Sequence, residues 1–128
     1  MLDTPSVRPA TLTIGPMQIE AEARFVRVNG RTVSLSLREL TLLTELALRA
    51  DRTVAREDLF ALVWGREMRA GDRSVDVYVR KLRVKLSQAH PGWVYIHTHF
   101  GFGYRLAPEK VPQLTARKHE ANRSFTTR

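Results

Sequence analysis

The sequence predicts an α+β domain with a small N-terminal antiparallel sheet, three helices and a C-terminal β-hairpin. Three observations carry that prediction. Apolar residues alternate in short runs between positions 11 and 35, around an Asn29-Gly30 hairpin signal. They then recur at helical spacing in three stretches, after Ser36, after Ala55 and after Asp72. Two further alternating runs flank the glycine-bearing turn Phe100-Gly101-Phe102-Gly103.

Residues 1–10 carry Pro5 and Pro9 without apolar periodicity and read as a linker or frayed end. The folded domain is expected over 11–107. Leu12 and Ile14 alternate, Gly15-Pro16 interrupts, and Met17 and Ile19 alternate again. Phe25, Val26 and Val28 precede the Asn29-Gly30 turn, and Thr32, Val33 and Leu35 follow it. These make three or four short antiparallel strands.

Ser36-Leu37-Arg38-Glu39 has capping-box spacing, which opens a helix carrying Leu37, Leu40, Leu43 and Leu46-Ala47 to about Arg49. Asp51-Arg52 marks a turn, and Thr53-Val54 suits a brief strand pairing. The second helix runs from Arg56 to Trp64, with Leu59, Phe60, Val63 and Trp64 as its apolar set. Ala55 is a poor cap for it, and Glu57 and Asp58 in the first turn compensate through the helix dipole. Gly65 stops this helix, and 65–72 form a polar loop.

The third helix, about 73–87 and ending near Leu86 or Ala89, has two unlike faces. Val75, Val79, Leu82 and Leu86 stack on one side. Arg73, Val77, Arg80, Lys81 and Val84 cluster opposite, at about 100° per residue. Five cations (Arg73, Arg80, Lys81, Arg83, Lys85) against Asp76 give the segment a net charge of +4. An ordinary solvated face mixes the signs more evenly. A helix buried on one side and basic on the other suits the major groove of DNA.

Pro91-Gly92 is a turn. Val94, Ile96 and Thr98 alternate, and Tyr104 to Leu106 return as the partner strand, a hairpin over about 94–106. From Pro108 to 128 the period is lost, and five cations face two glutamates. That segment reads as a basic, unfolded tail.

A formal net charge of +8 points to a polyanionic partner, nucleic acid before an anionic membrane. No run of about 18 apolar residues exists, and the basic helix reserves its apolar face for a core. The absence of cysteine excludes disulfides, a thiolate nucleophile and a cysteine zinc site. The N-terminus lacks a signal-peptide pattern, so an intracellular location is the default expectation. His97 and His99 share a strand face, but two ligands do not make a metal site. Gly101-Phe102-Gly103 is half a dinucleotide fingerprint, and a tight turn explains it better. No P-loop and no nucleophile–base–acid set is present, so no enzyme, cofactor or small-molecule ligand is expected.

The order of sheet, helix, helix, loop, basic helix and hairpin is that of a winged helix-turn-helix. Four stretches resemble the DNA-binding effector domains of OmpR/PhoB-type response regulators. They are Ser36-Leu37-Arg38-Glu39-Leu40 with Leu42-Leu43, Val54-Ala55-Arg56-Glu57-Asp58-Leu59 with Val63-Trp64-Gly65, Arg73-Ser74-Val75-Asp76-Val77 with Lys81-Leu82-Arg83-Lys85-Leu86, and Ile96-His97-Thr98 with Gly101-Phe102-Gly103-Tyr104-Arg105. The resemblance spans about Leu12 to Leu106 and implies a four-stranded N-terminal sheet. It also implies a recognition helix in the major groove, a wing beside the minor groove, and paired binding to half-sites. Residues Arg66, Glu67, Met68 and Arg69 would lie where such domains contact RNA polymerase. A bacterial, cytoplasmic, nucleoid-associated regulator of a two-component system follows as an expectation. The chain has no room for a receiver domain, so it reads either as the C-terminal part of a longer regulator or as a free-standing one.

The candidate base readers are Asp76, Val77, Arg80, Lys81, Arg83 and Val84. Arginine and lysine donate to guanine or phosphate, valine meets a thymine methyl, and Asp76 either accepts from cytosine or orients an arginine. Backbone candidates are Trp64, Arg73, Ser74, Lys85, Thr98 and Tyr104, with core packing the stronger reading for Trp64. The wing tip comprises His97, His99, Phe100 and Phe102. It departs from the family, which usually places valine and arginine where His99 and Phe100 stand. Phe100 can lie against sugars or wedge at a base step, a histidine can supply a pH-dependent cation, or the wing can contact a protein. The alternative function is therefore a protein-interaction module with reduced or nonspecific DNA binding.

Overall fold

The structure is a computed structural model and describes residues 10–112. Of the linker expected over 1–10 and the basic tail expected over 108–128, residues 1–9 and 113–128 lie outside the described residues. The chain runs β1 (Thr11–Ile14), β2 (Met17–Glu20), β3 (Phe25–Val28), β4 (Arg31–Val33), α1 (Leu37–Leu48), β5 (Thr53–Ala55), α2 (Arg56–Trp64), α3 (Ser74–Ala89), β6 (Trp93–His99) and β7 (Gly103–Lys110).

Strands β1 to β4 form an antiparallel meander in chain order, so the fourth strand is present. Asn29 and Gly30 both hold positive φ, 53° and 77°, which a twisted two-residue hairpin requires. Met17, Ile19, Val26, Val28 and Val33 alternate into the core, which fixes the register against a slip that would expose them all.

The capping box of α1 is complete: Ser36 Oγ accepts from the Glu39 backbone N–H, and Glu39 Oε1 accepts from that of Ser36. Leu37 stands 62% exposed rather than in the core. Successive steps of three residues rotate by about −60° each, so Leu37 has drifted off the face centred on Leu43. Leu42 and Glu39 complete the buried face instead. In α2, Ala55 caps without a side-chain bond, and Gly65 closes the helix at φ 75°. Val75, Val79, Leu82 and Leu86 of α3 are all buried, each stabilising by about 1.5–3 kcal/mol.

The second sheet has the order β5-β7-β6, so the brief strand at Thr53 anchors the wing. Gly103 is required there, because a Cβ would overlap the Val54 carbonyl of the paired strand. The wing is longer than expected, and β7 passes through Pro108 to Lys110. The register shifts between Val94 and Ile96, leaving an extra residue in β7 near Ala107 and Pro108. A bulge tolerates proline because it needs no ladder donor there. The same shift breaks the expected alternation: Ile96 is buried while Val94 is 40% exposed.

Candidate nucleic-acid interface

Helix α3 sits between two supports, and each holds one of its flanks. On the wing flank, Arg83 donates from Nε and a terminal nitrogen to the Ile96 carbonyl, at 3.1 and 2.9 Å. It also donates to Thr98 Oγ1 at 2.6 Å and lies over the Tyr104 ring. Asp76, one turn earlier, accepts from Arg56 at 3.0 Å, from Arg73 at 3.1 Å and from the Tyr104 hydroxyl at 2.5 Å. Burial, and then that bond to Asp76, push the Tyr104 phenol up to about 12, so it remains a donor at neutral pH. Arg56 Nε is buried with no partner among the described residues, so Asp76 is the main compensation for that guanidinium.

On the opposite flank, Lys85 bonds Glu39 Oε1 at 2.7 Å, tying α3 to the cap of α1. Burial works against the Glu39 carboxylate, but the Lys85 bond and those from Ser36 outweigh it and hold its pKa below 4.5. Tyr78 meets the edge of Trp64, which stacks on Phe60 at 4.7 Å and carries Arg38 over its ring. Trp64 is thus a half-buried junction of all three helices. Both wing histidines are engaged: His97 Nε2 donates to the Ala107 carbonyl, and His99 Nε2 accepts from Arg105 Nε.

Between these flanks lies the outward face. Val77 and Val84 are 39% and 51% exposed, with Arg80 and Lys81 exposed between them. Arg80 has no hydrogen-bonding partner among the described residues, and Lys81 only rests over the Tyr78 ring at 4.7 Å. Arg73 sits at the N-cap, one residue before the helix, and is exposed although paired with Asp76. Asp72, just before the N-cap residue, accepts from the Ser74 N–H, and hydrogen bonding from the Ser74 side chain and then from that N–H keeps its carboxyl below the usual range. Phe100 and Phe102 project 88% and 75% exposed from the turn closed by the Phe102 N–H to His99 carbonyl bond.

The structure therefore divides the candidates. It brings Arg73, Val77, Arg80, Lys81 and Val84 together on one exposed face and places Phe100 across an open cleft from Arg73 and Arg80. It turns Arg83 and Asp76 to the wing and Lys85 to Glu39, where each finds a hydrogen-bonding partner within 3.1 Å. Arg56 and Arg105 were missed. Arg105 bridges Asp51 at 2.8 Å and His99 at 3.0 Å, a contact no local pattern signals.

The family model for "Transcriptional regulatory protein, C terminal" matches residues 30–106. The chain belongs to that family. It is similar to the transcriptional regulatory protein PrrA of Mycobacterium tuberculosis, 40% identical over 96 residues, which is 75% of this chain and 41% of PrrA. The chain spans about half the length of the curated relatives it matches, 41–52% of each. Among solved structures, it resembles the Klebsiella pneumoniae RstA DNA-binding domain crystallised with the RstA box, at 33% identity and TM-score 0.69, covering 77% of this chain and 98% of that one. The DNA-binding domain of CpxR from E. coli is 29% identical, TM-score 0.70, with 78% and 97% covered. The OmpR/PhoB-type resemblance and the winged-helix fold are therefore established. The curated relatives are a transcriptional regulatory protein, PrrA, and a sensory transduction protein, RegX3. No helix among the described residues is long and apolar enough to cross a membrane.

Proposed function

We propose that this chain is a sequence-specific, double-stranded DNA-binding transcription regulator, with α3 in the major groove and the β6–β7 wing beside the minor groove. The observation that carries this reading is the outward face of α3, where Val77, Arg80, Lys81 and Val84 are exposed while Asp76, Arg83 and Lys85 are committed to the fold. Val77 and Val84 stand about 10.5 Å apart along the axis, roughly three base-pair steps of 3.4 Å. That spacing places two methyl-bearing contacts around the two free cations, a set suited to thymine and guanine.

Arg83, Asp76, Thr98 and Tyr104 act in this reading as the brace that sets the angle between helix and wing. Arg73 and Ser74, at the start of α3, serve phosphate, where the positive helix end adds to the charge. Glu67 and Arg69 are exposed in the loop between α2 and α3, Arg66 lies over Phe60 and Met68 is half-buried. Polymerase contact by this loop and pairing of two copies on DNA belong to the same proposal. The test is a binding titration in competitor DNA across a salt series. Arg80→Ala and Lys81→Ala are each expected to cost about 1–3 kcal/mol and to relax preference at one position. Affinity that ignores sequence and collapses with salt would replace this reading by a nonspecific one.

A further inference from the structure

We propose that Phe100 is a specificity-determining residue of the DNA complex, an uncharged wedge that reads the minor-groove side by its deformability. The inference rests on the DNA-binding reading above. It starts from the exposure of Phe100, 88%, at the tip of a turn held by Gly101 at φ 81°. Leaving that much aromatic surface in water is unfavourable in the isolated chain, and the fold has not covered it.

The charge around it identifies what covers it. Phe100 shares an open cleft with Arg56, Glu57, Arg73, Asp76, Arg80 and Arg83, and since Asp76 holds Arg56 and Arg73 and the wing holds Arg83, whatever meets the ring also meets the unpaired Arg80 guanidinium. An apolar protein surface would have to desolvate Arg80 without compensation, whereas a nucleic-acid groove supplies phosphates beside sugar and base surface. The tip itself carries no free cation among the described residues. Arg105 is held by Asp51 and His99, and His99 accepts rather than donates. Phe102 adds a second exposed ring next to Phe100.

An uncharged tip cannot draw on counterion release or on the deep potential of a narrow A-tract groove. It gains by burying its ring against deoxyribose or by partial insertion at a base step. Pyrimidine–purine steps open most readily, so the flank under the wing should favour TA or CA/TG. Specificity would thus arise at a position that no hydrogen bond reads.

The experiment uses the 128-residue chain and duplexes carrying its own selected site, with the flanking step varied and 2-aminopurine placed at that step. Phe100→Ala is expected to weaken binding about tenfold. It should also abolish the preference for a flexible flank, leave the salt slope unchanged and remove the rise in 2-aminopurine fluorescence. Phe100→Arg should steepen the salt slope by about 0.9 without restoring the flank preference. Phe100 is exposed, so matched thermal melts will show that the variants fold. If the unmodified chain binds and Phe100→Ala matches it in affinity and flank preference, this inference fails while the DNA reading stands. Loss of a Phe100-dependent dimer with unchanged DNA binding would assign the ring to a second copy and overturn it. Failure of the unmodified chain to bind any duplex would overturn both.

Discussion

Asp76→Ala is the sharpest perturbation of the brace between recognition helix and wing. The carboxylate is 16% exposed and accepts from three donors. Its bond with Arg73 contributes little, because that side chain is 72% exposed and such pairs are worth about 0–1 kcal/mol. The Tyr104 hydroxyl is different, since the residue is 7% exposed and would lose its only acceptor among the described residues, at a cost of about 1–3 kcal/mol. Arg56 adds roughly 1 kcal/mol, well below the cost of breaking a fully buried pair, because its side chain is 35% exposed. The expected loss is about 2–4 kcal/mol in equilibrium urea unfolding. A double-mutant cycle with Tyr104→Phe should give a coupling of about 1 kcal/mol. The Tyr104 phenol, titrated by its ultraviolet absorbance, should fall from about 12 in the variant yet stay above its ordinary 10, because burial is the larger cause. A loss under about 0.5 kcal/mol with no coupling would refute the reasoning.

Three further outcomes are expected. Arg83→Ala should free β6, raising amide exchange at Ile96 and Thr98 and weakening DNA binding, while Arg83→Lys should rescue only part, since lysine lacks the planar fork. Glu39 has a lowered folded-state pKa, so its contribution is present above the unfolded value of 4.5 and lost as pH falls through the folded one. The stability gap between the parent and Glu39→Gln, measured by urea titration, should therefore shrink as pH falls below about 4.5. Gly103→Ala should destabilise by about 3 kcal/mol or more, because strand β5 must move from the Val54 carbonyl; a melt unchanged from the parent would contradict the packing described.

Local pattern carried much of this fold. The buried stripe of α3, the Ser36 capping box, the Asn29-Gly30 turn and the stop at Gly65 all depend on spacing within one turn or one hairpin, and all are present. What stayed hidden were partnerships across the chain. Lys85 meets Glu39 from 46 positions away, and Tyr104 meets Asp76 from 28. From charge alone Lys85 and Arg83 look the same as Arg80, and only tertiary geometry separates the braced cations from the free ones. Val94 and Pro108 went astray for another reason: a bulge shifts the phase of a strand, and a period of two cannot anticipate it.

In the proposed function the free face of α3, steadied by the wing, reads a DNA sequence. In vitro selection from random duplex DNA at near-physiological salt tests it most directly. The expected result is a defined motif containing thymine and guanine, with two half-sites about one helical turn apart if copies pair. Salt-sensitive binding with no enriched motif, or no binding at all, would contradict it.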